Sequence, residues 1–169
     1  MAKNLDNQID LLRSSNSDEW GTPNWLYDNL NAEFEFDLDV CASDENHKHE
    51  NYFSINDDAL NRSWNGNVFC NPPYSKTAKF LEKAHEELRL GNCKTAVFLI
   101  FANTETKYFH NYILGKAEIR FLKGRLKFFG RNKKGVLVNN SAMRPSIVCI
   151  LRSSLYHGIQ QIKTKRNKP

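Results

Sequence analysis

Apolar positions in the first part of the chain recur at two spacings, one typical of helices and one typical of strands. Segment 22–34 has an apolar residue every three or four positions behind Thr22 and Pro23. This arrangement predicts a helix that is capped by Thr22 and begins at Pro23. Segment 35–40 then alternates acidic and apolar residues, and that period of two predicts a strand.

The same alternation of strand and helix continues along the next segments. A short apolar run at 68–70 predicts a buried strand, which two consecutive prolines end. Ser75 is the expected cap of a second helix, and Gly91 is its expected stop. The segment 95–102, which is uninterruptedly apolar after Thr95, is typical of a central parallel strand that is covered on both faces.

The remaining pattern completes the prediction of an α/β fold. It contains a third helix behind Thr104, a hairpin joining 119–122 to 126–129, a basic loop at 130–144 and a last strand at 146–151. Strands that alternate with helices predict an α/β sandwich, with a mainly parallel sheet and antiparallel C-terminal strands. The predicted organisation is a loose arm at 1–19, one domain at 20–152 and a basic tail at 153–169.

Length and composition exclude several classes of protein. The 169 residues fit one domain, and the longest apolar run, 96–102, is too short to span a membrane. The four cysteines form no C-x-x-C pair, which favours reduced thiols in a cytoplasm. Cys41, His47 and His49 have irregular spacing and lack a fourth ligand, so no metal site is expected.

Charge is distributed very unevenly along the chain. All 19 acidic residues lie within the first 118 positions, whereas 13 of the 24 Lys and Arg residues follow Glu118. A long basic segment without carboxylates suits a polyanion, although it could also be an ordinary solvated surface. The candidate phosphate contacts are Lys123, Arg125, Lys127, Arg131, Lys133 and Lys134.

The tetrapeptide Asn71-Pro72-Pro73-Tyr74 directly follows a predicted buried strand. Ligands of open α/β sheets bind beyond the carboxyl ends of the strands, where this tetrapeptide is expected. Two prolines stiffen the backbone, so the amide oxygen of Asn71 and a main-chain carbonyl can match the two N–H donors of an exocyclic amine. Tyr74 adds a planar face on which a base can stack. The alternative is a turn that merely ends the strand.

These residues and several other segments resemble the phage-type (Dam-like) DNA N6-adenine methyltransferases. The similar segments, from about Trp20 to Leu151, include Trp20–Pro23, Leu38–Ala42, Asn71–Tyr74 and Glu118–Phe128. The resemblance implies a Rossmann-like fold of the S-adenosylmethionine-dependent methyltransferases. It implies methyl transfer from S-adenosylmethionine to adenine N6 of a flipped-out base in double-stranded DNA, with Asn71 and the Pro72 carbonyl accepting the amine hydrogens. It further implies an enzyme of phage or prophage origin in a bacterial cytoplasm, and no membrane or protein partner.

The cofactor site is expected around the end of the first strand. No glycine-rich loop follows this strand, and Asp39-Val40-Cys41-Ala42-Ser43 stands in its place. The small Ala42 and Ser43 would allow close approach, and Asp39 would pair with the ammonium group of the cofactor unless it faces solvent. By resemblance, Thr22 and Pro23 would touch the carboxylate end and Asp58 the adenine. The acid that binds the ribose stays open among Asp44, Glu45 and Asp57.

Other acceptors and an inactive relative are the alternatives to this function. Enzymes with Asn-Pro-Pro-Tyr also methylate RNA bases, cytosine N4 and protein glutamine. The basic segment favours nucleic acid over protein, but only the resemblance favours DNA over RNA. A DNA-binding protein with a decayed site is the non-enzymatic alternative, against which the intact motif argues.

Overall fold

The computed structural model describes residues 21–131 and 137–153, so the predicted arm and most of the basic tail lie outside the described residues. The helices are α1 (Asn24–Phe34) and α2 (Thr77–Leu90). The strands are β1 (Leu38–Asp39), β2 (Gly66–Cys70), β3 (Cys93–Phe101), β4 (Glu118–Phe121), β5 (Lys127–Arg131), β6 (Leu137–Ser141) and β7 (Ser146–Arg152). Short 3₁₀ turns occupy Ile55–Asp57, Ala59–Asn61 and Tyr74–Lys76, and a π-helical turn occupies Phe109–Ile113.

Five of the strands form one sheet in the order β1-β2-β3-β7-β4. The first three run parallel, and β7 inserts antiparallel between β3 and β4. This topology confirms the predicted α/β fold with a parallel part and antiparallel C-terminal strands. Strands β5 and β6 form a separate antiparallel pair.

The sheet is covered on both faces, as the apolar run of β3 predicts. On one face, α2 and the π-helical turn pack with Val40, Phe98 and Ile147 in one buried cluster. On the other face, α1 packs with Phe69 and Val97, and the β5 residue Phe128 belongs to this second cluster. Alternate residues of β3 therefore enter opposite halves of a three-layer core.

The predicted helix starts and the predicted third helix need correction. Helix α1 begins at Asn24 with no side-chain cap, so Thr22 is not the cap that its position suggested. Helix α2 begins at Thr77, after a 3₁₀ turn that includes Ser75. The predicted third helix is present but short, with two α-helical residues at 107–108 followed by the π-helical turn Phe109–Ile113. Gly91 does end α2, in the left-handed conformation that favours glycine.

The predicted hairpin between 119–122 and 126–129 is wrong. Strand β4 pairs with β7 in the main sheet, and β5 pairs with β6 inside the segment predicted to be a basic loop. The error has a physical cause. Strand β7 pairs with β3 along one edge, and the hydrogen-bonding groups of its outer edge need a second strand, which β4 supplies. The non-local pairing satisfies these groups and also places Ile119 against the α2-side cluster.

Glu87 of α2 is a buried carboxylate that holds the start of β2 to the helix. Its side chain is 1% exposed, accepts hydrogen bonds from the Trp64 backbone N–H and the Asn92 amide, each at 3.0 Å, and pairs with Lys83 at 2.6 Å. Burial alone would raise the pKa of Glu87, but these donors hold it below its ordinary value. Trp64 itself is fully buried, so the Glu87 contact fixes a large core side chain.

We therefore expect Glu87→Ala to destabilise the fold by about 2–3 kcal/mol, because it leaves the buried Trp64 N–H without its acceptor and removes the shorter of the two ion pairs of Lys83. Glu86→Ala is the matched control, since Glu86 is exposed and makes only a longer, 3.5 Å ion pair with the same Lys83, so its loss should change stability by less than about 0.5 kcal/mol. Urea unfolding of both variants measures the difference. Equal stability of the two would contradict the anchoring role of Glu87.

Candidate active site

A cleft opens at the carboxyl ends of the parallel strands β1 and β2. About 790 Å³ of space free of protein atoms lies within it, part of this space being open solvent. The predicted site residues that line it are Thr22, Asp39, Cys41, Ala42, Asp58, Asn71 and Pro73. Pro23, Pro72 and Tyr74 are not among its lining residues, although each directly adjoins one that is.

Asp39 is the buried acid of the cleft. It is 2% exposed, and its carboxylate accepts hydrogen bonds from the backbone N–H groups of Cys41 at 3.3 Å and Lys48 at 3.1 Å. Burial raises the pKa of Asp39 to about 6, against the lowering effect of these two N–H groups and of the charges on His47 and Lys48. Asp39 is therefore not a solvent-facing strand residue, unlike its exposed neighbour Asp37.

Lys48 is a cleft residue that the sequence analysis missed. Its ammonium group donates to the Asn24 side chain at 2.6 Å and lies 4.5 Å from the centre of the Phe129 ring. Burial lowers the pKa of Lys48, opposed by the charge of Asp39. Nothing in the polar segment 42–66 marks this lysine, because its position depends on contacts with α1 and β5.

The chain that follows β1 returns beside it and forms one wall of the cleft. Asp39 makes an isolated parallel bridge with Tyr52, and the Ala42 N–H donates to the Phe53 carbonyl at 3.0 Å. The three candidates for ribose binding, Asp44, Glu45 and Asp57, all lie outside the cleft lining. Asp44 instead accepts from the Tyr52 hydroxyl at 2.7 Å, and Asp57 binds Ser54 and Arg62.

Asn71 lies one residue beyond β2, and its carboxamide has a defined orientation. Its nitrogen donates to the Thr22 hydroxyl at 3.1 Å, and Thr22 is 2% exposed. The Thr22 segment is itself fixed to β5, because Gly21 and Phe129 exchange backbone hydrogen bonds at 2.7 and 3.4 Å. A Cβ at Gly21 would lie 2.3 Å from the Phe129 ring, so only glycine fits this contact.

Tyr74 meets another aromatic ring at the carboxyl edge of the sheet. Its ring stacks on that of Phe101, the last residue of β3, with centroids 3.9 Å apart and planes 21° apart. One face of Tyr74 is therefore covered by the protein. A stacking role for Tyr74 toward a ligand is limited to the opposite face.

The predicted phosphate contacts differ in their surroundings. Lys123 and Lys127 are exposed, whereas Arg125 donates to the carbonyls of Ala142 and Met143 and so connects two chain segments. The side chain of Arg131, together with Lys133 and Lys134, lies outside the described residues.

Several other cations of the basic segment are paired with acids from the first part of the chain. Arg120 makes two hydrogen bonds of 2.6 Å to Glu33 and one of 2.7 Å to Glu118. Arg152 binds Glu118 at 2.8 Å, and Arg144 lies 3.4 Å from Glu105. The excess of positive charge in the sequence is therefore partly neutralised in the fold.

Neither a metal cluster nor a membrane-spanning helix occurs in the described part of the chain. Within residues 21–131 and 137–153, no three His, Cys, Asp or Glu side chains form a group that could hold a metal ion. No helix in these ranges is long and apolar enough to cross a bilayer.

Comparisons with known proteins identify relatives of this chain. A DNA N-6-adenine-methyltransferase of Haemophilus phage HP1 (strain HP1c1) is 32% identical over 126 residues, which are 73% of this chain and 72% of that protein. One of Escherichia phage T1 is 31% identical over 163 residues, or 85% of this chain and 66% of that protein. A solved structure from Pyrococcus horikoshii, described as a proposed RNA methyltransferase, is similar over 61% of this chain and 49% of its own. At 14% identity and a TM-score of 0.36, this structural likeness bears on neither fold nor acceptor.

The family comparison covers nearly the whole chain. The family model described as DNA N-6-adenine-methyltransferase (Dam) matches residues 10–169, which include every predicted site residue. The match confirms the resemblance inferred from the Trp20–Pro23, Asn71–Tyr74 and Glu118–Phe128 segments. This chain belongs to the DNA N-6-adenine-methyltransferase (Dam) family of methyl-transferring enzymes.

Proposed function

We propose that this enzyme transfers a methyl group from S-adenosylmethionine to adenine N6 in double-stranded DNA, acting on a base flipped out of the duplex. The observation that carries the proposal is the position of Asn71. Its carboxamide follows the buried parallel strand β2, lines the cleft and is oriented by Thr22. Asp39 lines the same cleft at the end of the neighbouring strand, so one cavity can hold both the acceptor amine and a cationic cofactor.

Asn71 and Pro72 are the proposed acceptors for the two hydrogens of the adenine amino group. The nitrogen lone pair of adenine is delocalised into its ring, which makes the amine a poor nucleophile. Two fixed acceptors favour a more pyramidal nitrogen and stabilise the positive charge that develops on it. This chemistry needs positioning more than a strong base, which agrees with the absence of histidine and carboxylate from Asn71-Pro72-Pro73-Tyr74.

The residues of the cleft fit S-adenosylmethionine, which when bound supplies a methyl group made electrophilic by its sulfonium centre. The buried carboxylate of Asp39 suits an ammonium group, and the small side chain of Ala42 allows a ligand to approach the backbone. The exposed Asp58 at the cleft can accept from an adenine amino group. The proposed cofactor contacts are those of Thr22, Pro23, Asp39, Cys41, Ala42 and Asp58.

Adenine inside a duplex cannot reach a cleft at the edge of the sheet, so the proposal includes base flipping. Tyr74 can stack on the flipped base with the face that Phe101 leaves uncovered. Lys123, Arg125, Lys127, Arg131, Lys133 and Lys134 are the proposed phosphate contacts. Arg125 would fill this role with the part of its guanidinium group that does not hold residues 142–143.

Incubation with methyl-labelled S-adenosylmethionine tests the function directly. Separate reactions contain double-stranded DNA and total RNA, and the products are digested to nucleosides and separated. Label in N6-methyldeoxyadenosine is the expected result. Label in N4-methyldeoxycytidine or in RNA nucleosides would replace the proposed acceptor, and no transfer with intact cofactor binding would indicate an inactive relative.

Replacing either Asn71, a proposed hydrogen-bond acceptor for the amine, or Tyr74, the proposed stacking residue, should strongly reduce methyl transfer. Asn71→Ala removes one of the two proposed amine acceptors, and we expect a loss of about 10²–10³ in kcat. Tyr74→Ala removes the proposed stacking face and should cause a loss of similar size. Single-turnover assays with saturating cofactor measure both, with the exposed Asn111→Ala as control. Rates within about threefold of the wild type for both variants would rule out this site.

Cofactor affinity should depend on pH through Asp39. Because burial raises the pKa of Asp39 to about 6, lowering the pH protonates the group that would pair with the cofactor ammonium. Binding favours the charged form, so we expect the affinity to fall roughly tenfold between pH 7 and pH 5.

Isothermal titration of S-adenosylmethionine across this pH range measures the effect. Asp39→Asn should bind weakly and show no such dependence, while the exposed Asp37→Asn should behave like the wild type. An affinity that does not change with pH in the wild type would assign the ammonium group to another residue.

The salt dependence of DNA binding should identify the residues that bind phosphates. We expect the double variant Lys123→Ala/Lys127→Ala to make the log–log salt slope shallower by roughly 0.9 for each phosphate that is no longer neutralised. Arg152→Ala is the control, because Arg152 is paired with Glu118 and lies opposite Thr95, near the start of β3. A slope that changes in the control but not in the lysine variant would contradict the proposed interface.

A further inference from the structure

We infer that Thr22 is a positioning residue for Asn71. The Thr22 hydroxyl accepts a hydrogen bond from the Asn71 nitrogen and thereby turns the carboxamide oxygen toward the adenine amine that receives the methyl group. This inference rests on the proposed function and assigns to one hydroxyl the orientation of the group that meets the substrate.

The orientation matters because the two ends of a carboxamide have opposite hydrogen-bonding character. The oxygen accepts, whereas the nitrogen donates and would repel the N–H groups of an adenine amine. A carboxamide that turned freely would present the wrong end part of the time. The 3.1 Å bond to Thr22 gives the nitrogen of Asn71 a fixed partner, so the oxygen is the end that a ligand amine meets.

The position of the Thr22 hydroxyl is itself fixed from both sides of the residue. Before it, Gly21 pairs with Phe129 of β5, and no larger residue than glycine fits against that ring. After it, Pro23 has a restricted backbone and leads directly into α1. Thr22 is 2% exposed, so water competes little for its hydroxyl.

Among the described residues, Asn71 is the hydrogen-bond partner that the structure gives to the Thr22 side chain. The hydroxyl accepts this bond and keeps its own O–H as a donor, so orienting Asn71 and contacting the cofactor carboxylate are two separate roles that the same side chain could fill. The two roles have different kinetic consequences. Removing an orienting bond slows the chemical step, whereas removing a group that binds the cofactor weakens cofactor binding.

Thr22→Val tests the inference, because valine keeps the shape of threonine and removes the hydroxyl. We expect the single-turnover rate at saturating cofactor to fall about 10- to 100-fold, as misplacement of a reacting group does, with the Kd for S-adenosylmethionine changed less than about twofold. Thr22→Ser restores the hydroxyl and should recover the rate to within about threefold of the wild type. Thr95→Val makes the same chemical change in β3, outside the cleft lining, and controls for a general effect on the sheet.

The outcomes separate this inference from the proposed function. A wild type that does not methylate adenine contradicts the proposed function, whatever Thr22 does. If the wild type methylates adenine, an unchanged rate in Thr22→Val overturns the positioning role, as does a loss that appears wholly in cofactor Kd. Thermal unfolding of each variant accompanies the kinetics, and a rate that Thr22→Ser does not recover at wild-type stability also overturns the role.

Discussion

The parallel pairing of β1 with β2 is the constraint on which the site depends. Leu38 lies opposite Val68 and Asp39 opposite Phe69, so the two strands end at the same edge of the sheet. The residues that follow them must then face each other across one cleft, whatever the rest of the chain does. A buried acid on β1 and a carboxamide just beyond β2 therefore line the same cleft, although they are far apart in sequence.

A second constraint comes from contacts between distant segments, which no local sequence pattern predicts. The bridge between Gly21 and Phe129 attaches the chain ahead of α1 to β5, near the opposite end of the described sequence. Lys48 lies against the same Phe129 ring, so one aromatic residue contacts two walls of the cleft. The strand pair that continues into the basic segment is thus in direct contact with the segment that orients Asn71.

The sequence predicts those features that depend on neighbouring residues. The spacing in 22–34, the apolar run of β3 and the tetrapeptide after β2 each have a local physical cause, and each lies where it was expected. Features decided by competition between distant segments were predicted wrongly. The hairpin prediction failed because β4 pairs with the outer edge of β7 and not with its nearest neighbour in sequence. The cap prediction failed because α1 begins at Asn24 with Pro23 in the N-cap position, and the Thr22 hydroxyl binds Asn71 instead. The position of Lys48 in the cleft could not be predicted, since it depends on contacts with α1 and β5, which are distant in sequence.

Charge asymmetry in a sequence overstates the charge of the corresponding surface. The segment after Glu118 contains no acidic residue, which suggests that each of its Lys and Arg side chains is available to bind a polyanion. In the fold, Arg120 and Arg152 share Glu118 and lie over the Phe34 ring, so their positive charge is neutralised within the protein. The exposed Lys123 and Lys127 follow the carboxyl end of β4, where the described residues place no carboxylate in ion-pair contact with them. Folding therefore sorts one basic segment into cations that stabilise the sheet and cations that remain accessible to a phosphate backbone, and only the second group should control the salt dependence of binding.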